Sequence, residues 1–444
     1  MTSAAETIAK DANSSFTVLK TLSNEQRSQA LQAIHDGLKE NKERILAANK
    51  LDMEHAQSNA NFSASLVKRL DLSNSGKFDS MLSGILDVKD LEDPVGKVNL
   101  ARKIDEGLNL YRVTVPIGVL LIIFEARPEV IANITALAIK SGNSAILKGG
   151  KESYQTFKVM SEVVNEILAT KTDVPSHAIQ LIESRKEVGD LLSQDKYIDL
   201  VIPRGSNALV RNIKDNTKIP VLGHADGICS IYVDKEFDLK KATRIVVDSK
   251  TNYPAGCNAV EQLLINKDIS KENIQAIIQS LIDAKVTLHV TPEVKEIIAQ
   301  ESEFIKDTVE DSFDKEYLSF DISVALVDSV EAAIQHINIH SSKHTDSIIT
   351  ENKANAEKFL KGVDSGGVYW NASTRFADGF RYGFGTEVGI STNKIHARGP
   401  VGLEGLMSYQ YQLRGNGHIV GEYVGGGGKK VFVHEDLDAT KVEL

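Results

Sequence analysis

Three observations predict an α/β protein built from two parallel-sheet units. Apolar, strand-like runs alternate with helical stretches over most of the chain, first from residue 111 and again from about residue 259. Buried strands separated by helices form parallel sheets covered on both faces. A length of 444 residues exceeds what one hydrophobic core supports, so two or three domains are expected. The 42 % hydrophobic and 25 % charged content is that of an ordinary globular chain.

The elements follow in order. Residues 1–90 read as helices: Ser23 and Gln26 have the spacing of a capping box, and Leu31, Ile34 and Leu38 form the apolar stripe behind it. Residues 111–124 read as one strand, followed by a helix over 128–140 that Pro128 opens and Ser141-Gly142 closes. A short strand at 144–148 and a helix at 152–170 come next. Strands at 178–182, 197–202 and 228–233 continue the alternation. The second set holds Ala259 and Val260, a strand at 324–327, a helix at 330–340, and strands at 346–350 and 368–370. Residues 409–413 and 418–423 flank Gly415-Asn416-Gly417 and read as a β-hairpin, with 99–113 a second exposed β segment. Gly425 to Gly428 then lead into a charged tail expected to be mobile.

Charge and composition exclude several functions. A net charge of −10 argues against nucleic acid or an anionic membrane as partner, but leaves room for an anionic small substrate in a local basic pocket. The apolar run 115–124 is broken by Pro116 and Gly118 and is about half the length of a membrane helix. No apolar signal core is present, and Glu6 and Asp11 are out of character for a transit peptide, so a soluble cytoplasmic protein is expected. With only 2 cysteines there is no disulfide framework.

Chemistry concentrates at strand-to-helix junctions and at one loop. Cys257 lies in a 251–259 segment where Pro254 and Gly256 break regular structure, so its thiol sits on a shaped loop. Read locally, it is either a nucleophile, with backbone N–H groups of Cys257 and Asn258 as oxyanion donors, or a small buried hydrophobe. Cys229, inside an apolar strand, fits the second description better. Lys148-Gly149-Gly150-Lys151 follows a strand and precedes a helix, which is either a phosphate cradle or an ordinary loop. Arg127-Pro128 and Pro203-Arg204-Gly205-Ser206 place arginines at similar junctions, where open α/β sheets bind ligands. His336, His340 and His344 recur every four residues, but Ser341-Ser342 should end the helix and no further ligand has a suitable spacing. No metal is therefore expected. There is no P-loop, and Gly383, Gly385 and Gly389 miss the dinucleotide fingerprint by one residue and follow no strand.

Taken in order, these pieces resemble the aldehyde dehydrogenase superfamily, and within it the gamma-glutamyl phosphate reductases. The carrying segments are Val115-Pro-Ile-Gly-Val119, Phe124-Glu-Ala-Arg-Pro128, Ile146-Leu-Lys-Gly-Gly-Lys-Glu152, Ile202-Pro-Arg-Gly205, His224-Ala-Asp-Gly227 and the Cys257 loop. They continue through 327–348, Trp370 to Gly379 and His396-Ala-Arg-Gly-Pro400, up to about Val424. The resemblance implies an aldehyde dehydrogenase-like fold with a Rossmann-like cofactor domain over 1–240 and a catalytic domain over 241–370. It further implies a return segment over 371–404 and an oligomerisation hairpin over 405–424, with 99–113 contributing to the flap.

Cys257 becomes the expected nucleophile. NADPH is the expected cofactor, held by Lys148 on the adenosine ribose, Glu316 on the nicotinamide ribose, and Gly149, Gly205 and Ser206; Lys151 is our assignment for the 2′-phosphate. Arg127, Arg204, His224, Asn252 and His344 are the expected substrate contacts. The superfamily's oxyanion asparagine falls near Ala126 and its hydrolytic glutamate near Gly223-His224, so both are replaced. Loss of the glutamate suits an enzyme that must keep its thioester from water. The implied reaction is reduction of L-glutamyl 5-phosphate to L-glutamate 5-semialdehyde through a Cys257 thioester, on the route to proline. A homodimer or dimer-based oligomer, and transient association with the glutamate 5-kinase, are the implied partners. The rival readings are an oxidising aldehyde dehydrogenase with another substrate and a catalytically silent scaffold.

Overall fold

A computed structural model describes residues 3–58, 67, 69–74, 76–125, 127–182, 185–205, 207–298 and 302–442, with the side chains of 185 and 186 excepted. The chain opens with helices Ala4–Leu19, Asn24–Glu40, Lys42–Ser58 and Lys77–Asp90. The second begins with the expected reciprocal cap: Gln26 N–H donates to Ser23 Oγ at 3.2 Å, and Ser23 N–H donates to Gln26 Oε1 at 2.9 Å. Leu31, Ile34 and Leu38 behind it are buried.

The expected strand at 111–124 is two strands in different sheets. After β1 (Val98–Asp105), β2 (Leu108–Pro116) ends at proline, and β3 (Val119–Phe124) begins beyond Gly118. Gly118 has φ +142°, and a Cβ there would lie 1.9 Å from the Asp199 carboxylate that accepts the Val119 N–H. Only glycine makes this corner.

Beyond it, β3 pairs in parallel with β4 (Ser144–Lys148) and β6 (Leu200–Arg204), and β5 (Ile179–Leu181) completes the order β5-β4-β3-β6. Along β3, Leu120, Ile122 and Phe124 enter one core, while Val119, Leu121 and Ile123 enter the other. A strand buried on both faces reads as a continuous apolar run for this reason.

The second sheet contains β7 (Cys229–Val233), β8 (Val260–Asn266), β9 (Thr287–Val290), β10 (Ile305–Asp307), β11 (Asp321–Val327), β12 (Thr345–Ile349) and β13 (Gly367–Trp370). Its seven strands run parallel in the order β10-β9-β11-β8-β7-β12-β13. Strand β7 lies inside this sheet between β8 and β12, although sequence alone grouped residues before 240 with the first unit. Two short antiparallel strands follow, β14 (Gly389–Ser391) and β15 (Gly399–Val401), and Val388, Val401, Leu403 and Leu406 return to the first core.

The C-terminal hairpin does not form. Strand β16 (Met407–Arg414) pairs along its whole length with β2, from Met407 opposite Pro116 to Arg414 opposite Asn109. Residues Val420–Glu422 form a 3₁₀ turn rather than a second strand. The tail docks as well: β17 (Glu435–Leu437) pairs with β1, and Phe432 stacks on Tyr423 with ring centroids 4.5 Å apart. The result is a four-stranded antiparallel sheet, β16-β2-β1-β17. Both edges of the β1–β2 ribbon offered unpaired backbone groups, and those groups outcompete a local turn for the C-terminal chain.

Candidate active site

The carboxyl ends of β3, β4 and β6 face the amino ends of β7 and β8 across a cleft of about 1340 Å³. Arg127, Lys148 and Arg204, with Gly205 beside it, line the first wall; Tyr253, Cys257, Asn258 and Arg375 line the second. Thus the sequence-predicted junctions and the cysteine loop meet at one place.

Helix Leu239–Thr251 ends at Asn252, and Tyr253 adopts φ +64°, rare for an aromatic residue. Turns close the loop behind it: Gly256 N–H donates to the Tyr253 carbonyl at 3.0 Å, and Ala259 N–H to the Gly256 carbonyl at 2.9 Å. Tyr253 is held from two sides, its hydroxyl accepting Arg69 Nη2 at 2.9 Å and the Arg375 guanidinium lying 5.8 Å over its ring. Cys257 is half-buried on this loop, whereas Cys229 is fully buried and donates to the Cys257 carbonyl at 3.4 Å. Burial pushes the Cys229 thiol well above its ordinary range, as befits a packing residue. Asn258 is buried with its amide nitrogen committed to the Ala377 carbonyl at 2.9 Å, which leaves only its backbone for an oxyanion role.

Two histidines approach the sulfur. One side-chain ligand atom each from His224, Cys257 and His344 lie within 4.8 Å of one another. His224 Nδ1 is 3.1 Å from the Ile390 carbonyl, which can only accept, so this nitrogen carries the proton. Burial lowers the pKa of His224, which keeps the ring neutral. His344 is 1 % exposed, meets His224 edge-on at 5.2 Å, and pairs through Nδ1 with Thr345 Oγ1 at 2.9 Å. Glu316 does not line the cleft; burial raises its pKa, opposed by the Gly227 N–H that its carboxylate accepts and by the nearby His224.

Positive charge surrounds the thiol. Burial pulls the Arg204 guanidinium below its ordinary value, opposed by the Glu387 carboxylate and by Cys257. Arg375 is likewise lowered by burial and raised by the charge of Cys257. The sequence reading missed Arg375, Tyr253 and Glu387. Arg375 lies in the quoted 370–379 segment, and an arginine flanked by small and apolar residues was the available signal.

In the loop after β4, Lys148 is buried and bonds the Gly149 carbonyl, while Lys151 is exposed at the start of the 3₁₀ turn Lys151–Ser153. A Cβ on Gly149 would lie 2.0 Å from the Phe157 ring. A second cavity of about 190 Å³ opens between this loop and Tyr154, Phe157, Leu181 and Ile182. Asn252 is not brought to the cleft: it is exposed and bonds back to Asp248. Ser206 and Ala126 lie outside the described residues. His336 and His340 pack against Phe313, with centroids at 5.0 and 6.2 Å, and do not join His344 because the helix Val330–His340 ends before it.

Residues 2–316 match the model of the aldehyde dehydrogenase family. Gamma-glutamyl phosphate reductase of Saccharomyces cerevisiae is 60 % identical over 462 aligned positions, which cover 100 % of both chains. The chain belongs to the gamma-glutamyl phosphate reductases. A probable gamma-glutamyl phosphate reductase from Schizosaccharomyces pombe is 53 % identical, over 98 % of this chain and 97 % of that one. The crystal structure of gamma-glutamyl phosphate reductase from Thermotoga maritima superposes with a TM-score of 0.90 at 38 % identity, covering 94 % of this chain and 100 % of that one. The resemblance seen in the sequence and the α/β fold it implied are both borne out, and membership makes the chain an oxidoreductase acting on an aldehyde or acyl phosphate. Among the described residues, no helix of this reductase is long and apolar enough to cross a membrane.

Proposed function

We propose that the chain reduces L-glutamyl 5-phosphate to L-glutamate 5-semialdehyde and phosphate, with NADPH as reductant and a thioester on Cys257 as intermediate. The observation that carries this reading is the half-buried Cys257 thiol in a cleft where Arg204 and Arg375 supply positive charge. Guanidinium groups match carboxylate and phosphate oxygens in planar geometry, so they suit a substrate anionic at both ends.

The Cys257 thiolate attacks the acyl carbon; the bond to the phosphate oxygen breaks and phosphate leaves as an anion. Backbone N–H groups of Cys257 and Asn258 hold the oxyanion in this step and the next. A nicotinamide cofactor follows from the family. The glycine loop fits one: Gly149 has no room for a Cβ, and the 190 Å³ cavity beside it suits an adenine. We assign the ribose to Lys148 and a 2′-phosphate to Lys151, which makes the cofactor NADPH rather than NADH; when bound, it supplies the hydride. The hemithioacetal oxyanion on Cys257 then collapses, the C–S bond breaks, and thiolate and aldehyde separate without a proton being required.

The site also protects the thioester from water. Where the superfamily carries its hydrolytic glutamate this chain has Gly223 and His224, and burial makes the His224 ring a poor proton acceptor. The aldehyde product cyclises to pyrroline-5-carboxylate, which places the reaction on the route to proline. We further assign the chain to the cytoplasm, as a homodimer whose contact includes β16, with transient docking of the kinase that makes its labile substrate.

The test couples glutamate 5-kinase and ATP to supply the acyl phosphate and follows NADPH absorbance. Consumption is expected only with the complete mixture. In reverse, reduction of NADP⁺ by glutamate 5-semialdehyde should depend on added phosphate. Phosphate-independent oxidation to glutamate would instead make the chain a hydrolytic aldehyde dehydrogenase, and no turnover in either direction would leave a scaffold.

A further inference from the structure

We propose that His224, Cys257 and His344 also form a capture site for Zn²⁺, and that the ion, once bound, takes the thiolate out of the reaction. The topology builds the cluster: the three residues precede β7, β8 and β12, and in a parallel sheet whose order runs β8-β7-β12 those amino ends lie side by side. Their ligand atoms are already within 4.8 Å of one another. Tetrahedral zinc, with bonds of about 2.0–2.3 Å, spaces its ligands roughly 3.4–3.6 Å apart. The cluster therefore needs to contract by about 1 Å, and both His224 and Cys257 sit on loops that can supply it.

The hydrogen bonds outside the cluster favour the ion. His224 gives its Nδ1 proton to the Ile390 carbonyl, so Nε2 holds a lone pair. This is the outer contact that metal-bound histidines make, since it fixes both tautomer and ring orientation. His344 has its Nδ1 on Thr345 Oγ1, and its buried Nε2 has no partner among the described residues. A buried polar nitrogen without a partner is rare and points to a missing ligand. One sulfur and two imidazoles, without a carboxylate, select zinc or cobalt over magnesium and calcium. The Arg204 and Arg375 charges oppose a cation here, and the Glu316 and Glu387 carboxylates, which act on His224 as well, work against them. The fourth position opens to the cleft that Cys257 and His224 line, so the ion sits where the acyl group would bind.

Binding needs only this geometry, so it is measured apart from turnover. Cobalt(II), a spectroscopic stand-in for zinc, is titrated into the full-length protein. One equivalent should produce a sulfur-to-cobalt charge-transfer band that zinc displaces and a chelator removes. Cys257→Ser should abolish the band with its melting temperature unchanged, and Cys229→Ala should keep it. Loss of an outer partner costs a metal site about 10–100-fold in affinity, so loss of a ligand in His224→Asn or His344→Asn should cost at least about 100-fold. Magnesium and calcium should not compete. A band that persists in Cys257→Ser, or zinc affinity unchanged in both histidine variants, would overturn the site and leave the reductase reading as it stands.

Discussion

Cys257 and Cys229 are linked by one hydrogen bond yet differ in exposure and in the kind of element that carries them. One is half-buried on a loop at the cleft; the other is fully buried in β7, where burial disfavours its thiolate. Cys257→Ala should therefore abolish NADPH oxidation while the protein still binds cofactor and keeps its circular dichroism. Cys229→Ala should retain near-normal turnover, and appreciable activity in Cys257→Ala would rule out a covalent route. Lys151 carries a different kind of specificity. It is exposed at the opening of the 3₁₀ turn that follows β4, within reach of the cleft. Replacing it by glutamate sets a negative charge where we place the 2′-phosphate. Lys151→Glu should lower kcat/KM for NADPH by at least about tenfold, the equivalent of 1.4 kcal/mol, with little change for NADH. Equal loss with both cofactors would remove the assignment.

At the scale of elements, one glycine decides where the Cys257 loop lies. A Cβ on Gly227 would come within 2.2 Å of the Cys257 carbonyl oxygen and 2.5 Å of its Cα, contacts with backbone that no rotamer relieves. Gly227→Ala should push the loop by about 1 Å and cut kcat roughly 100-fold, with the alkylation rate of Cys257 altered in parallel. A normal kcat would show that the loop has other room. Helix Leu239–Thr251 and β8, which flank this loop, are tied by the fully buried pair Lys250 and Glu261 at 2.6 Å. Burial pushes Glu261 up to about 7 and pulls Lys250 down. Lys250→Met strands a buried carboxylate and should cost about 3–5 kcal/mol in urea unfolding, whereas the double variant with Glu261→Gln should recover most of it.

The loops of this site were legible in the sequence because each breaks regular structure: Gly149-Gly150, Pro203 and Gly205, Pro254 and Gly256. The burial of the Lys250 and Glu261 pair was not, since nothing in local composition marks a charge as paired. Residues 418–423 misled for a related reason. Their turn signal is local, while the strand partner that won, β2, lies some 300 residues away.

The whole molecule places its cleft between two sheets that approach end to end, so neither unit alone holds both the Lys148–Lys151 loop and the Cys257 thiol. The third sheet has its own logic. Along the edge strand β16, Tyr409, Tyr411 and Leu413 are exposed by 55–59 % on one face, alternating with Ser408, Gln410 and Gln412. An exposed apolar stripe on an edge strand invites another chain, and a two-fold dimer is the commonest way to close it. We expect a dimer by light scattering at micromolar concentration. Tyr411→Lys with Leu413→Lys should convert it to monomer while β16 stays paired with β2; a parent protein that is monomeric at that concentration refutes the expectation.

The order of this third sheet also sets a timetable. Its central ribbon, β1 and β2, is complete once residue 116 has been made, but the strand that covers β2 begins at Met407 and the one that covers β1 at Glu435. The 290 residues from 117 to 406 must be translated first. At about 5–20 residues per second, the nascent chain carries a ribbon with two bare edges for roughly 15–60 s. Throughout that interval its neighbours on a polysome offer the same bare edges. Chaperone demand during synthesis should therefore centre on 98–116, and end only when the last strands emerge from the ribosome.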